Sequence, residues 1–167
     1  MGALETIPEA MLRAERTVVT TSLDDLVPAL EAERARPRVA ALAIDLIGHS
    51  THDHRLLRLG ATVIDALDLR VLRTFEAIAR SGLVGELRTT CLRLLGCETA
   101  RSPSGQRTMR ILRTVVGVPV LGSRTRLSRM HHGALGFDPR FRHVLVEAAR
   151  RDAPCQQLVG QFPDTVP

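Results

Sequence analysis

Two residues in this chain have the side-chain types and the setting for nucleophilic chemistry, His49 and Cys97. Each closes an apolar run: Arg38–Ser50 reads RVAALAIDLIGHS, and Thr89–Ala100 reads TTCLRLLGCETA. A thiol becomes an effective nucleophile when a base within hydrogen-bond reach takes its proton. Cys97 follows Gly96 and precedes polar Glu98 and Thr99, which puts its sulfur at a strand-to-loop edge. His49 ends a run interrupted only by Asp45, and Gly48 before it is expected to permit a tight turn. Near-continuous Val, Ile and Leu runs mark parallel strands buried on both faces. In open α/β sheets, ligands sit just beyond the carboxyl ends of such strands. If the two strands are neighbours, the imidazole and the thiol emerge side by side.

The other reactive side chains have weaker settings. Cys91 lies inside its strand and reads as core, and Cys155 lies in a polar tail. His49, His52, Asp53 and His54 fall within one short stretch, and His131 and His132 in a later loop. A metal-dependent hydrolase built on His49, His52 and His54 with a bound water is one reading of that stretch. Arg124 and Arg126 lie beyond the fourth strand, where a guanidinium fork would suit a carboxylate. Asp45, four residues before His49, falls on the same side of an extended strand and is expected to form a buried structural pair.

The elements that must position these residues alternate. Residues 1–16 read as an N-terminal arm and Thr17–Thr21 as a first strand. Ser22 is expected to cap a helix with Asp24 and Asp25 in its first turn and Leu23, Leu26, Val27 and Leu30 at helical spacing. Arg36 and Pro37 end it. Val39–Ile47 is the second strand, followed by a polar loop from Ser50 to Arg58 and a short strand or hairpin arm at Leu56, Leu57 and Leu59. Ile64–Ala79 predicts a helix with Leu67, Val71, Phe75 and Ile78 inward, stopped by Ser81-Gly82. Thr89–Leu95 is the third strand, Gly105–Val116 a helix and Val118–Leu121 a fourth strand whose Pro119 marks an edge position or a strand start. Ser123–Gly136 reads as a loop, Phe141–Arg151 as a helix in preference to a strand followed by a turn, and 152–167 as a polar tail. Strand–helix alternation predicts an α/β fold, a three-layer αβα sandwich on a mostly parallel sheet in a single domain.

Composition narrows the class. All 23 basic residues are Arg, and there is no Lys, Trp or Tyr. The formal charge is +5, but the arginines are scattered without helix-turn-helix or zinc-finger spacing, so a nucleic-acid role is not expected. Three Cys without regular spacing argue against a disulfide framework and for a reducing, cytoplasmic setting. The first residues lack the apolar stretch of a secretory signal, and no run approaches a membrane span.

The blocks Gly48-His49-Ser50 and Gly96-Cys97-Glu98-Thr99-Ala100 resemble those of the caspase-like (clan CD) cysteine peptidases, and most closely the bacterial CHAT-type branch. The resemblance covers about Thr17 to Phe137, and the Cys-Glu-Thr-Ala block is its more specific half. His49 and Cys97 are 48 residues apart, near the spacing of about 50 found in caspases. The resemblance implies caspase-like topology and a thiol endopeptidase, a hydrolase that needs no cofactor. His49 would be general base and acid, and Cys97 the nucleophile that forms a thioester. The backbone N–H groups of Ser50 and Cys97 would form the oxyanion hole. Its substrate would be a protein or peptide. Two positions depart from the pattern. Ser50 stands where the family usually has Gly, and Leu95 where Arg/Lys-specific metacaspases carry an Asp. Ser50 would add a side chain to the cleft. Only 70 residues follow Cys97, so the rest of the specificity pocket is expected to be minimal or supplied by an activating partner protein. A non-catalytic caspase-like module with a binding or regulatory role is the alternative reading.

Overall fold

The computed structural model describes residues 22–36, 41–133 and 136–149. The expected N-terminal arm, the Thr17–Thr21 strand, the polar tail and Cys155 lie outside the described residues.

The central sheet has four strands in the order β1-β5-β6-β9. These are β1 (Leu42–Ile47), β5 (Thr89–Leu95), β6 (Val120–Ser123) and β9 (Leu145–Glu147). β1, β5 and β6 are parallel, and β9 closes the far edge antiparallel. A second sheet is built from β2 (His49–Ser50), β3 (Leu57–Leu59) and β4 (Thr62–Val63), all antiparallel. β7 (His132–Gly133) pairs with β8 (Gly136–Phe137). The helices are α1 (Leu26–Arg34), α2 (Leu69–Arg80), the short α3 (Leu83–Glu86) and α4 (Pro103–Val116). The fold is therefore mixed α/β, with a mostly parallel sheet flanked by helices.

Two apolar clusters divide along the two faces of the sheet. Leu46, Leu92, Leu94 and Val120 pack with α1, α2, α3 and α4 through Leu26, Leu30, Val71, Phe75, Ile78, Leu83, Met109 and Leu112. Cys91, Leu95 and Leu121 face the other way, toward Phe137, Val144 and Leu145. On that second face the cover among the described residues is the β7–β8 hairpin and a 3-10 segment, Pro139–Val144, not an α-helix.

Several expectations need correcting in detail. The helix expected from Ile64 starts at Leu69, because Asp68 caps it by accepting from the Arg70 N–H at 2.8 Å. Ile64 instead donates its N–H to Leu57 and extends the small sheet, and Leu67 is exposed, not inward. α4 begins two residues early, with Ser102 capping Gly105 N–H and Pro103 in the first turn, where no hydrogen-bond donor is needed. Pro119 precedes an interior strand, so it marks a strand start. The helix expected at Phe141–Arg151 is absent over its described part. Residues 139–144 form the 3-10 segment, and Leu145–Glu147 pair with β6. Ser22 does not cap α1 directly; it bonds Asp25, the residue at the helix start.

Candidate functional site

β1 and β5 are paired along their length, with Ile47 opposite Leu95. Gly48 donates its N–H to the Leu95 carbonyl at 3.3 Å, so the strands stay bonded up to the residue before His49. His49 and Cys97 each stand two residues beyond that last register pair, at the carboxyl edge of neighbouring parallel strands. Continued at period two, the alternation puts both on the face that carries Asp45 and Arg93. His49 is exposed and its imidazole has no hydrogen-bond partner among the described residues; Cys97 is half-buried. The Cys97 Sγ accepts from the Leu127 N–H at 3.4 Å and lies 3.7 Å from the Leu127 carbonyl oxygen.

The residues between them explain this placement. Gly48 is not there for a left-handed turn, since its φ is not positive. It is there for room: a Cβ would lie 2.0 Å from the Arg58 carbonyl oxygen, where β3 crosses close under the chain. Ser50 likewise differs from its expectation. Its Oγ is buried without a hydrogen-bond partner. It points at Gly96, where an added Cβ would lie 2.6 Å away. The hydroxyl is therefore tucked under the Cys97 turn and does not obstruct the space outside it. Gly96 makes Ser50 possible.

The backbone of Ser50 is oriented by the small sheet. Thr51 donates to Leu56 at 2.8 Å. Antiparallel pairs alternate between bonded and non-bonded, so His49–Arg58 is a bonded pair and Ser50–Leu57 is not. The Ser50 N–H thus faces away from β3. Among the described residues the Cys97 N–H has no acceptor either.

The turn after Cys97 is locked by its own residues. Glu98 has φ of 60°, in the left-handed region that a non-glycine residue occupies only when neighbours hold it there. Its N–H donates to the Thr125 carbonyl at 2.9 Å and to Ser123 Oγ at 3.0 Å. Its carboxylate meets Arg101 at 2.8 Å and Arg55 at 3.4 Å. Thr99 Oγ1 donates to the Leu94 carbonyl at 2.9 Å and accepts from Ser123 N–H at 3.0 Å. Ser123 Oγ donates to the Gly96 carbonyl at 2.5 Å. The Cys-Glu-Thr-Ala block is thus a hydrogen-bonded hook onto the end of β6. Ser123, Thr125 and Leu127 were not singled out in the sequence. The only signal was a Ser ending an apolar strand.

Beneath the edge, Asp45 forms the buried pair expected of it. Arg93, wholly buried, donates through Nε at 2.5 Å and Nη2 at 2.8 Å to its carboxylate. Arg93 also lies 5.8 Å over the Phe137 ring. Its Nη1 and the Nδ1 of His132 are buried without partners. Burial pushes the His132 imidazole below the usual value; nearby Arg93 and His131 add to this and Asp45 opposes it. Burial pushes the Cys91 thiol up to about 11, with Arg93 opposing and Asp45 reinforcing.

The remaining candidates do not converge. His52 and His54 are exposed, and His52 meets its neighbour Asp53 at 3.2 Å. Among the described residues no group of three His, Cys, Asp or Glu side chains could hold a metal ion. Arg124 and Arg126 are exposed on the loop that touches Cys97. No described helix is long and apolar enough to cross a membrane. Comparison with protein-family models, curated proteins and solved structures finds no match to this chain.

Proposed function

We propose that the chain is a cysteine endopeptidase of caspase-like type and topology, acting on a protein or peptide through a Cys97–His49 dyad. The observation that carries this reading is the common register of the two residues beyond the Ile47–Leu95 pair of adjacent parallel strands. Cys97 Sγ attacks the scissile carbonyl carbon, and the thiol proton passes to His49. The resulting oxyanion takes hydrogen bonds from the Ser50 and Cys97 N–H groups, each worth roughly two to three orders of magnitude in rate. His49 returns the proton to the leaving amine as the C–N bond breaks. A thioester remains, and water activated by His49 hydrolyses it. No cofactor takes part. A partner that completes the specificity pocket belongs to the same proposal.

A second reading, a non-catalytic caspase-like binding or regulatory module, is favoured by one contact. The Cys97 sulfur is already occupied by the Leu127 backbone. Peptide-library hydrolysis separates the two. The peptidase reading expects cleavage at a defined residue, lost in Cys97→Ala and His49→Ala. Absence of Cys97-dependent cleavage, with and without candidate partners, supports the module.

A further inference from the structure

The contact between Cys97 and Leu127 has a construction that a chance approach would not have. The thiol is clasped at two points, by the N–H and by the carbonyl of the same residue. The segment carrying Leu127 is braced at both ends. Upstream, the Arg124 N–H donates to Val144 at 2.8 Å and Thr125 accepts from Glu98. Downstream, Ser128 and His131 bond reciprocally, with Ser128 N–H on His131 Nδ1 at 2.9 Å. The Leu127 side chain packs against the second apolar cluster. The strap therefore holds one side of the sulfur, while the His49 imidazole stands without a hydrogen-bond partner among the described residues on the neighbouring strand end.

The outer surface of the strap is unlike its inner one. Arg124, Arg126 and Arg129 are exposed and have no ion pair among the described residues. Other arginines near the turn are engaged: Arg55 and Arg101 share Glu98. Three unpaired guanidinium groups within six residues form an acceptor-seeking surface that suits carboxylates. Glu98 and Asp45, the nearby acids, are already committed to other arginines.

We infer that residues 124–129 are an inhibitory strap over Cys97, and that an acidic peptide segment of a partner opens it by engaging Arg124, Arg126 and Arg129. Binding at the three guanidinium groups draws the strap backbone outward, and Leu127 leaves the sulfur. The inference rests on Cys97 as the nucleophile for its biological consequence, but its test does not require peptidase activity.

The test is the alkylation rate of Cys97 by iodoacetamide on the full chain, followed at the Cys97 peptide by mass spectrometry. Hydrogen bonds of this kind resist opening by an amount that corresponds to roughly tenfold in rate. A short polyglutamate peptide is expected to raise the Cys97 rate by about that factor at low salt, with the effect fading near 0.5 M salt. The increase is expected to be lost in the Arg124→Gln, Arg126→Gln, Arg129→Gln triple variant. Leu127→Pro, which removes the N–H donor, is expected to react fast without peptide. If polyglutamate leaves the rate of the wild-type chain unchanged, or raises it equally in the triple variant, the acidic-partner strap is overturned. Fast alkylation with failed peptide cleavage would instead count against the peptidase reading alone.

Discussion

At the residue scale, the site rests on a buried charge pair beneath it. Asp45 and Arg93 are register partners on adjacent strands, four residues before His49 and Cys97 respectively. They join the two strands beyond whose ends His49 and Cys97 stand. Arg93 is wholly buried, and Asp45 keeps a small solvent-facing edge. Removing one partner leaves an uncompensated buried charge, which costs about 3–5 kcal/mol. Asp45→Ala is therefore expected to lower unfolding stability by about 3 kcal/mol in a urea titration. Replacing both residues by apolar ones of similar volume, Asp45→Leu with Arg93→Met, is expected to cost much less, within about 1–2 kcal/mol. The pair was legible from Asp45 alone, an acid inside an apolar strand. Its partner was not, because Arg93 looks like one more arginine in an arginine-only sequence. Ser50 shows the same limit. Its side chain reads as an obstruction until the empty space over Gly96 is seen.

At the element scale, strand order explains why the described α-helices cover one face of the sheet. The parallel strands β1, β5 and β6 step across the sheet in one direction. Right-handed crossovers that keep stepping the same way place their helices on one face. α2 and α4, which make those two crossovers, share one cluster. A second layer of crossover helices requires the order to reverse, and among the described strands it does not. The 3-10 segment and hairpin fill that face instead. Long apolar elements such as β5 were legible to the residue, because their signal is local. β9 was less so, since Phe141, Val144, Leu145 and Ala148 recur at helical spacing, and only the pairing of Leu145–Glu147 with β6 decides for a strand. α4 is placed against the Cys97 turn by Gly105, where an added Cβ would lie 1.8 Å from the Thr99 carbonyl oxygen. In an ordinary helix interior Gly→Ala gains about 1 kcal/mol. Here the sign reverses, and Gly105→Ala is expected to lose about 2–3 kcal/mol through overpacking. Chemical denaturation of the variant against the parent chain reads the sign directly.

At the scale of the whole molecule, the absence of Lys and Tyr leaves the alkaline range nearly free of titrating side chains other than cysteine. Cys91, buried in the second cluster, has its thiol pushed up to about 11 from an ordinary value of 9.0. Between those two values the unfolded chain loses the proton while the folded chain keeps it, so stability falls as pH rises. The fall is expected to reach about 2–3 kcal/mol across pH 9 to 11, and Cys91→Val is expected to flatten it. Thermal unfolding as a function of pH, compared between the two chains, checks this.

Everything functional in this account depends on His49 acting on Cys97 across two neighbouring strand ends. The direct measurement is covalent labelling by a peptidyl acyloxymethyl ketone, with the modified residue located by mass spectrometry. A single adduct on Cys97 is expected, formed about a hundredfold more slowly in His49→Ala. An adduct rate on Cys97 that is the same with and without His49 would contradict it.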